Sequence, residues 1–242
     1  MRIGVIPAGG CGYRLGPHYK SIQKCLLAIE KNKPIVEFII DGMFEVGCDV
    51  IYLIGGHEHL KLLDFINQKA DPRIKYIHGH SIGTAHALLK LKDYIHEPFL
   101  YSSGDILYKF DIIDKLKRDF KKSTLGAIAI SENIVAPTHP KTLINKDRHI
   151  KDIYFVTENR PNNFSFCTLE MGLFSPKIFT YLAQLNNSDM VTLALYNGIM
   201  NSEVLIGSIY NGEWFHIANE NEYIYLRDNI ENIKTLLEYN ER

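Results

Sequence analysis

From residue 2 to residue 105 the chain keeps switching between two kinds of segment. Short apolar runs, "RIGVIPA", "VIYLIGG", "IKYIHG" and "FLYSSGD", alternate with the amphipathic stretches "PIVEFIIDGMFEVG", "HLKLLDFINQKA" and "IGTAHALLKLKDYI". Brief apolar runs closed by glycine read as buried strands, and longer stretches with apolar residues three and four apart read as helices. Strand, helix, strand, helix in succession builds a parallel sheet with helices on its faces, so the first half reads as a doubly wound α/β unit.

That architecture says where chemistry should sit. In open α/β sheets ligands bind outside the carboxyl ends of the strands, which makes the residues just after each strand the first candidates. Gly9, Gly55 and Gly104 end strands where the chain must turn sharply, and Arg14, Lys24 and Asp105 follow such ends. Past about Phe120 the rhythm changes to shorter candidate strands, "LGAIAIS", "KTLIN", "IKDIYFV", "CTLEMGLFS", "VLIGSIY" and "EWFHI". Helices are expected near Pro176 to Gln184, near Asp189 to Met200 and over the final "ENEYIYLRDNIENIKTLLEY". This half is expected to extend the same sheet. With no repeat or Pro/Gly/Ser-rich linker in its 242 residues, the chain is expected to be one domain.

Composition removes whole classes of function. The 27 basic and 28 acidic residues give nothing like the field of a nucleic-acid binder, and no apolar stretch approaches the ~20 residues of a membrane span. A cytoplasmic protein is expected, working with neither nucleic acid nor membrane. Cys11, Cys25, Cys48 and Cys167 have neither zinc spacing nor disulfide density and read as free thiols.

The opening "MRIGVIPAGGCGYRLG" places Gly9, Gly10, Gly12 and Gly16 around Arg14. An ordinary strand-to-helix turn is one reading. A dinucleotide fingerprint needs glycine three positions after Gly12, where Leu15 stands, and a Walker loop needs Gly-Lys-Ser/Thr, which is absent. The third reading is a loop whose N–H groups point at the phosphates of a nucleoside triphosphate, with Arg14 adding a two-pronged charge.

On that third reading the segment "VIPAGGCGYRLGPHYKSIQKCLLAIEKNKPIVEFIIDGM" resembles the opening of the sugar-phosphate nucleotidyltransferases, L-A-G-G-x-G-x-R-L-x-P followed by P-K-x-L-L-P-I and K-P. "SIGTAHALLKL" is similar to the family's L-G-T-A segment, "PFLYSSGDILYKFD" to its G-D strand end, "TLEMGLFSPKIF" to its N-A-G-[IL]-Y strand, and "GEWFHIANENEY" to its closing W-x-D-I-G-T. The resemblance implies a Rossmann-like three-layer α/β sandwich with a mixed, mainly parallel central sheet, its N-terminal half binding nucleotide and its C-terminal half binding the acceptor.

The reaction so implied is attack by a phosphate oxygen of the acceptor on the α-phosphorus of the triphosphate, in line with departing pyrophosphate, driven by positioning and charge neutralisation. Arg14 is then expected on the β- and γ-phosphates, Lys24 near the α-phosphate and Asp105 on Mg²⁺. Ala8, Gly9, Gly10, Cys11 and Gly12 would cradle the nucleotide, with Gly83, Thr84 and Ala85 near its base. Arg160, Glu170 and His216 are candidate acceptor contacts.

Two departures stand out. Gln23 occupies the place of the family's proline before the lysine, and His216 that of the closing aspartate, which in many members is a second metal ligand. A neutral imidazole is a poor Mg²⁺ ligand. The site then works with Asp105 and phosphate oxygens alone, or His216 contacts phosphate, or activity is lost and a nucleotide-binding regulatory relative remains. The expected acceptor is a sugar 1-phosphate destined for capsule or other surface polysaccharide; the alternative is CTP-dependent transfer to a non-sugar phosphate such as phosphocholine or a phosphorylated amino acid derivative. A homo-oligomer is compatible with either.

Overall fold

The computed structural model describes residues 2–19, 21–79, 83–133, 139–155, 166–186 and 189–238. In chain order the elements are β1 (Ile3–Ala8), β2 (Ala28–Glu30), β3 (Lys33–Pro34), α1 (Ile35–Glu45), β4 (Val50–Gly55), α2 (His59–Lys69), β5 (Ile74–His78), α3 (Thr84–Leu89), β6 (Phe99–Ser102), β7 (Ile106–Tyr108), α4 (Asp111–Asp119) and β8 (Gly126–Ser131). They continue with β9 (Lys141–Ile144), β10 (Ile150–Tyr154), β11 (Phe166–Phe174), α5 (Ile178–Leu182), α6 (Val191–Met200), β12 (Leu205–Ile209), β13 (Trp214–His216), α7 (Glu220–Asp228) and α8 (Ile230–Leu236). The fold is α/β and Rossmann-like with a mixed sheet, as expected. The residues divide into two compact units, a first of 2–81, 102–110 and 212–242 and a second of 82–101 and 111–211.

In the first unit β1, β4 and β5 run parallel, with Ile3 opposite Val50 and Ile51 opposite Ile74. All of β1 is buried, which suits a strand covered on both faces. Helix α1 follows from the 3.6-residue spacing of Ile35, Val36, Ile39, Ile40 and Met43, all buried. Its Gly42 has to be glycine, because a Cβ there would lie 1.8 Å from the Phe110 ring. Strands β7 and β13 pair antiparallel, setting His216 opposite Ile106. Helix α7 starts with a reciprocal cap: Asn219 Oδ1 accepts from Glu222 N at 3.1 Å, and Glu222 Oε2 accepts from Ala218 N at 2.6 Å. Tyr223 donates to the Ala28 carbonyl at 3.0 Å, and Lys234 pairs with Glu30 at 2.6 Å, tying the C-terminal helices to β2.

In the second unit β8 pairs parallel with β12 and antiparallel with β11, and β9 pairs antiparallel with β10 and β11. Register shifts between Thr168 and Gly172, so β11 carries a bulge. Asp119 at the end of α4 receives Arg148 at 2.7 and 2.9 Å and the Ser208 hydroxyl at 2.7 Å. Burial works to raise its pKa, but these partners hold it below the usual range.

The structure differs from the sequence expectation in five places. "IGTAHALLKLKDYI" is helical only over Thr84–Leu89, and the C-terminal helical stretch breaks at Asn229 into α7 and α8. Three features were not anticipated: the small β2–β3 ladder; β7, which takes β13 into a two-stranded ladder of their own rather than into the larger sheet; and α4, whose buried Ile112, Ile113 and Leu116 alternate with charged residues.

Candidate functional site

The glycine run begins where β1 ends. Ala8 is buried, and a Cβ on Gly9 would lie 3.2 Å from the Gly56 backbone, so the loop leaves the sheet close beside β4 where a side chain would crowd it. Gly12 is left-handed at φ +58° and starts the 3₁₀ turn Tyr13–Leu15, closed by Leu15 N donating to the Gly12 carbonyl at 2.8 Å. Gly10, Cys11 and Arg14 are exposed. The Arg14 guanidinium lies 5.9 Å from the centre of the Tyr13 ring, itself 75% exposed.

Beyond the loop the chain turns back under it. Gln23 is fully buried; its side-chain amide donates to the Ala8 carbonyl, and its Oε1 accepts from Cys25 N at 2.6 Å. The residue that departs from the family's proline therefore clamps the end of β1 to the short turn Lys24–Leu26. That turn carries Lys24, whose Cδ lies 4.0 Å from where a Gly10 Cβ would be.

Asp105 follows β6 by way of Gly104. Gly104 N donates to the Pro7 carbonyl at 3.3 Å, and a Cβ there would meet that oxygen at 3.0 Å and Cys25 Cβ at 3.4 Å. Glycine is what lets the turn press against β1 and the Lys24 turn. Lys24 Nζ then reaches Asp105 Oδ2 at 2.5 Å, His216 Nε2 lies 3.4 Å from the same oxygen, and the Ser103 hydroxyl donates to Oδ1 at 2.6 Å. The Lys24 and Asp105 side chains are only 10% and 17% exposed. Burial alone would raise the Asp105 pKa, but Lys24 and then His216 overcome it and hold the carboxyl well below the usual range. Burial pushes the Cys25 thiol far up, with Asp105 adding to the effect, so this thiol is no nucleophile.

This donor set does not suit a resident divalent cation. Mg²⁺ wants several oxygen ligands, whereas both oxygens of Asp105 are already engaged and an ammonium sits on one of them. Among the described residues no three His, Cys, Asp or Glu side chains are grouped to hold a metal ion.

The remaining expected site residues lie in the second unit. Gly83 precedes α3 at φ +49°, Thr84 Oγ1 accepts from Val191 N at 3.1 Å, and Ala85 N donates to the Asp189 carbonyl at 3.1 Å, so this segment fastens α3 to the start of α6. Glu170 lies in the β11 bulge at φ +50°, an uncommon conformation for a residue with a Cβ. Arg160 lies outside the described residues. Ser103 was not singled out from the sequence, although a hydroxyl two residues before a strand-end aspartate was the available signal. Among the described residues no helix is long and apolar enough to cross a membrane.

A strand-end glycine loop, with a lysine and an aspartate paired beneath it, is the equipment of a phosphate-handling α/β protein. The profile of the nucleotidyl transferase family matches residues 3–193, and the chain belongs to that family. It is 27% identical to the bifunctional protein GlmU of Methanocaldococcus jannaschii, over 98% of this chain and 57% of that protein. It is 28% identical to the low-salt glycan biosynthesis nucleotidyltransferase Agl11 of Haloferax volcanii, over 76% of this chain and 52% of that protein. The chain thus spans little more than half the length of these relatives. In fold it is similar to a UDP-glucose pyrophosphorylase solved with UDP-glucose (TM-score 0.81, 19% identity, 96% of this chain and 99% of that one). It is also similar to the inositol-1-phosphate CTP transferase of T. maritima (TM-score 0.77, 17% identity, 96% of each chain).

Proposed function

We infer that the protein joins a nucleoside triphosphate to a small phosphorylated acceptor, a sugar 1-phosphate, and releases pyrophosphate. An acceptor phosphate oxygen forms a bond to the α-phosphorus as the bond to the bridging oxygen of the β-phosphate breaks, and pyrophosphate leaves with that electron pair. Loop N–H groups and Arg14 hold the β- and γ-phosphates, and Lys24 offsets charge at the α-phosphate. Mg²⁺ enters as the counter-ion of the triphosphate, part of the substrate, with Asp105 as the carboxylate that faces it once the phosphates draw Lys24 away.

The observation that carries this reading is the Lys24–Asp105 pair at 2.5 Å directly beside the glycine loop. Glycan biosynthesis in the name of one relative supports an activated sugar as product. A second reading, cytidylyl transfer to a cationic non-sugar phosphate such as phosphocholine, is favoured by Glu170, a carboxylate held in a strained bulge. The test is pyrophosphate release with Mg²⁺ over five nucleoside triphosphates, each against sugar 1-phosphates and against non-sugar phosphomonoesters. Release with one pairing, lost in Asp105→Ala, supports the reading; no thermal shift with any triphosphate defeats it.

A further inference from the structure

The charge arrangement around Asp105 has its own consequence, which rests on the reading above and narrows it. A protein that keeps a divalent cation supplies a surplus of negative oxygen ligands. Here one carboxylate faces one ammonium, so the pair is neutral before any cation arrives. Oδ1 takes the Ser103 hydroxyl, and Oδ2 takes Lys24 at 2.5 Å with His216 Nε2 at 3.4 Å. A cation approaching Oδ2 meets Lys24 at once, and its gain from the carboxylate must first offset the loss of a buried ion pair.

His216 is the member that decides this. It is buried, and its position is fixed by the β7–β13 ladder, with Trp214 opposite Tyr108 and His216 opposite Ile106. Ile217 N donates to the Asp105 carbonyl at 3.1 Å, which locks strand and aspartate together one residue further on. A side chain at 216 is therefore delivered to the carboxylate by backbone pairing. A carboxylate in that position would make a two-acid site; an imidazole leaves a one-acid site.

We propose that His216 makes this centre refuse a free divalent cation: the protein alone binds none at Asp105, and metal enters only as the metal–triphosphate complex. The triphosphate supplies the missing oxygen ligands and gives Lys24 a phosphate in exchange for Asp105. Binding is then ordered, with metal and nucleotide arriving together, and the native site is closed to metal when nucleotide is absent.

The probe is Mn²⁺, followed by the electron paramagnetic resonance of the free ion and by quenching of Trp214, the single tryptophan, two residues from His216. The variants are Asp105→Asn, His216→Asp and the two combined. The expected result is no Asp105-dependent Mn²⁺ binding by the native protein without nucleotide. H216D should bind Mn²⁺ roughly tenfold tighter or more, and the double variant should lose that gain. Mn²⁺ held by the native protein without nucleotide and released by D105N overturns the proposal, as does H216D that folds and binds no better. If H216D does not fold, the native protein decides: metal uptake only with a triphosphate supports the proposal, and uptake without one overturns it. A triphosphate series run alongside separates the two claims. Failure of every triphosphate to bind sinks the functional reading, whereas triphosphate binding together with nucleotide-free Mn²⁺ binding sinks this inference alone.

Discussion

Residues 9–16 set the exposed Gly10, Cys11, Tyr13 and Arg14 among glycines, whereas Lys24 and His216 are buried beside the Asp105 carboxylate. Both regions belong to the first unit, and Gly10 approaches Lys24, yet they are built by opposite means. The loop is one contiguous segment shaped by missing side chains. The cluster draws single residues from three distant segments, each held by its own turn or ladder. A loop of this kind can adapt to an anion. The cluster already pairs its charges, and an anion that engages Lys24 competes with a carboxylate for it.

Breaking the cluster should have the largest effect. Asp105→Asn is expected to lower pyrophosphate release about a hundred- to a thousandfold. By stranding Lys24 it should also cost about 3 kcal/mol of stability, read by chemical denaturation. Lys24→Met with Asp105→Asn should recover much of that stability without recovering activity; additive losses would show that the pair is not coupled. Gln23→Ala removes the clamp between β1 and the Lys24 turn, and the buried Ala8 carbonyl it leaves should cost about 2 kcal/mol. Activity should fall with it, because Lys24 rides on that turn.

The loop should respond more mildly. Gly12→Ala forces a left-handed residue and sets its Cβ 2.9 Å from Leu15 Cδ1, so a loss of about 1–2 kcal/mol is expected, seen as a lower Tm. Acid should sharpen the contrast. The Asp105 pKa is depressed in the folded protein, so its contribution is complete above the unfolded value near ~3.9 and disappears as pH falls through the folded value. The stability gap between native protein and D105N should stay level from about pH 8 to about pH 5 and close below about pH 4. A gap that narrows near neutral pH would mean that Asp105 does not carry it. Arg14→Ala, on the exposed loop, should change stability by less than about 0.5 kcal/mol while weakening triphosphate affinity roughly tenfold or more. A comparable stability loss in this variant would erase the distinction between the two regions.

The alternation of apolar runs was enough to give β1, β4, β5, α1 and α2, because elements buried on one or both faces write their period into the sequence. Helix α4 was lost in charge: Asp111, Asp114, Lys115, Lys117, Arg118 and Asp119 mask its three buried apolar residues. The break at Asn229 could not be read because Tyr225, Asn229 and Ile233 continue a helical spacing across it. The site divided in the same way. Gly9, Gly12, Arg14, Lys24 and Asp105 were legible from motif spacing. The union of Lys24, Asp105 and His216 on one oxygen was not, since 81 residues separate the first two and only the β7–β13 register brings the third. Gln23 stood out only as a departure from the family's proline, and the structure makes it a hydrogen-bonded clamp.

The chain passes between its two units four times, and the first unit takes its last piece from residues 212–242. During synthesis β7 therefore waits for β13, more than a hundred residues behind it, while the whole of 111–211 is made. Until then Asp105 can meet Lys24 but not His216, and the buried face of β7 lacks Trp214. A nascent chain stopped in this interval displays an unpaired apolar strand edge, the kind of surface that chaperones hold and that aggregates when they do not. Yield from cells should accordingly depend on how quickly residues 212–242 follow the rest in translation, a sensitivity that a chain with its units in sequence order would not have.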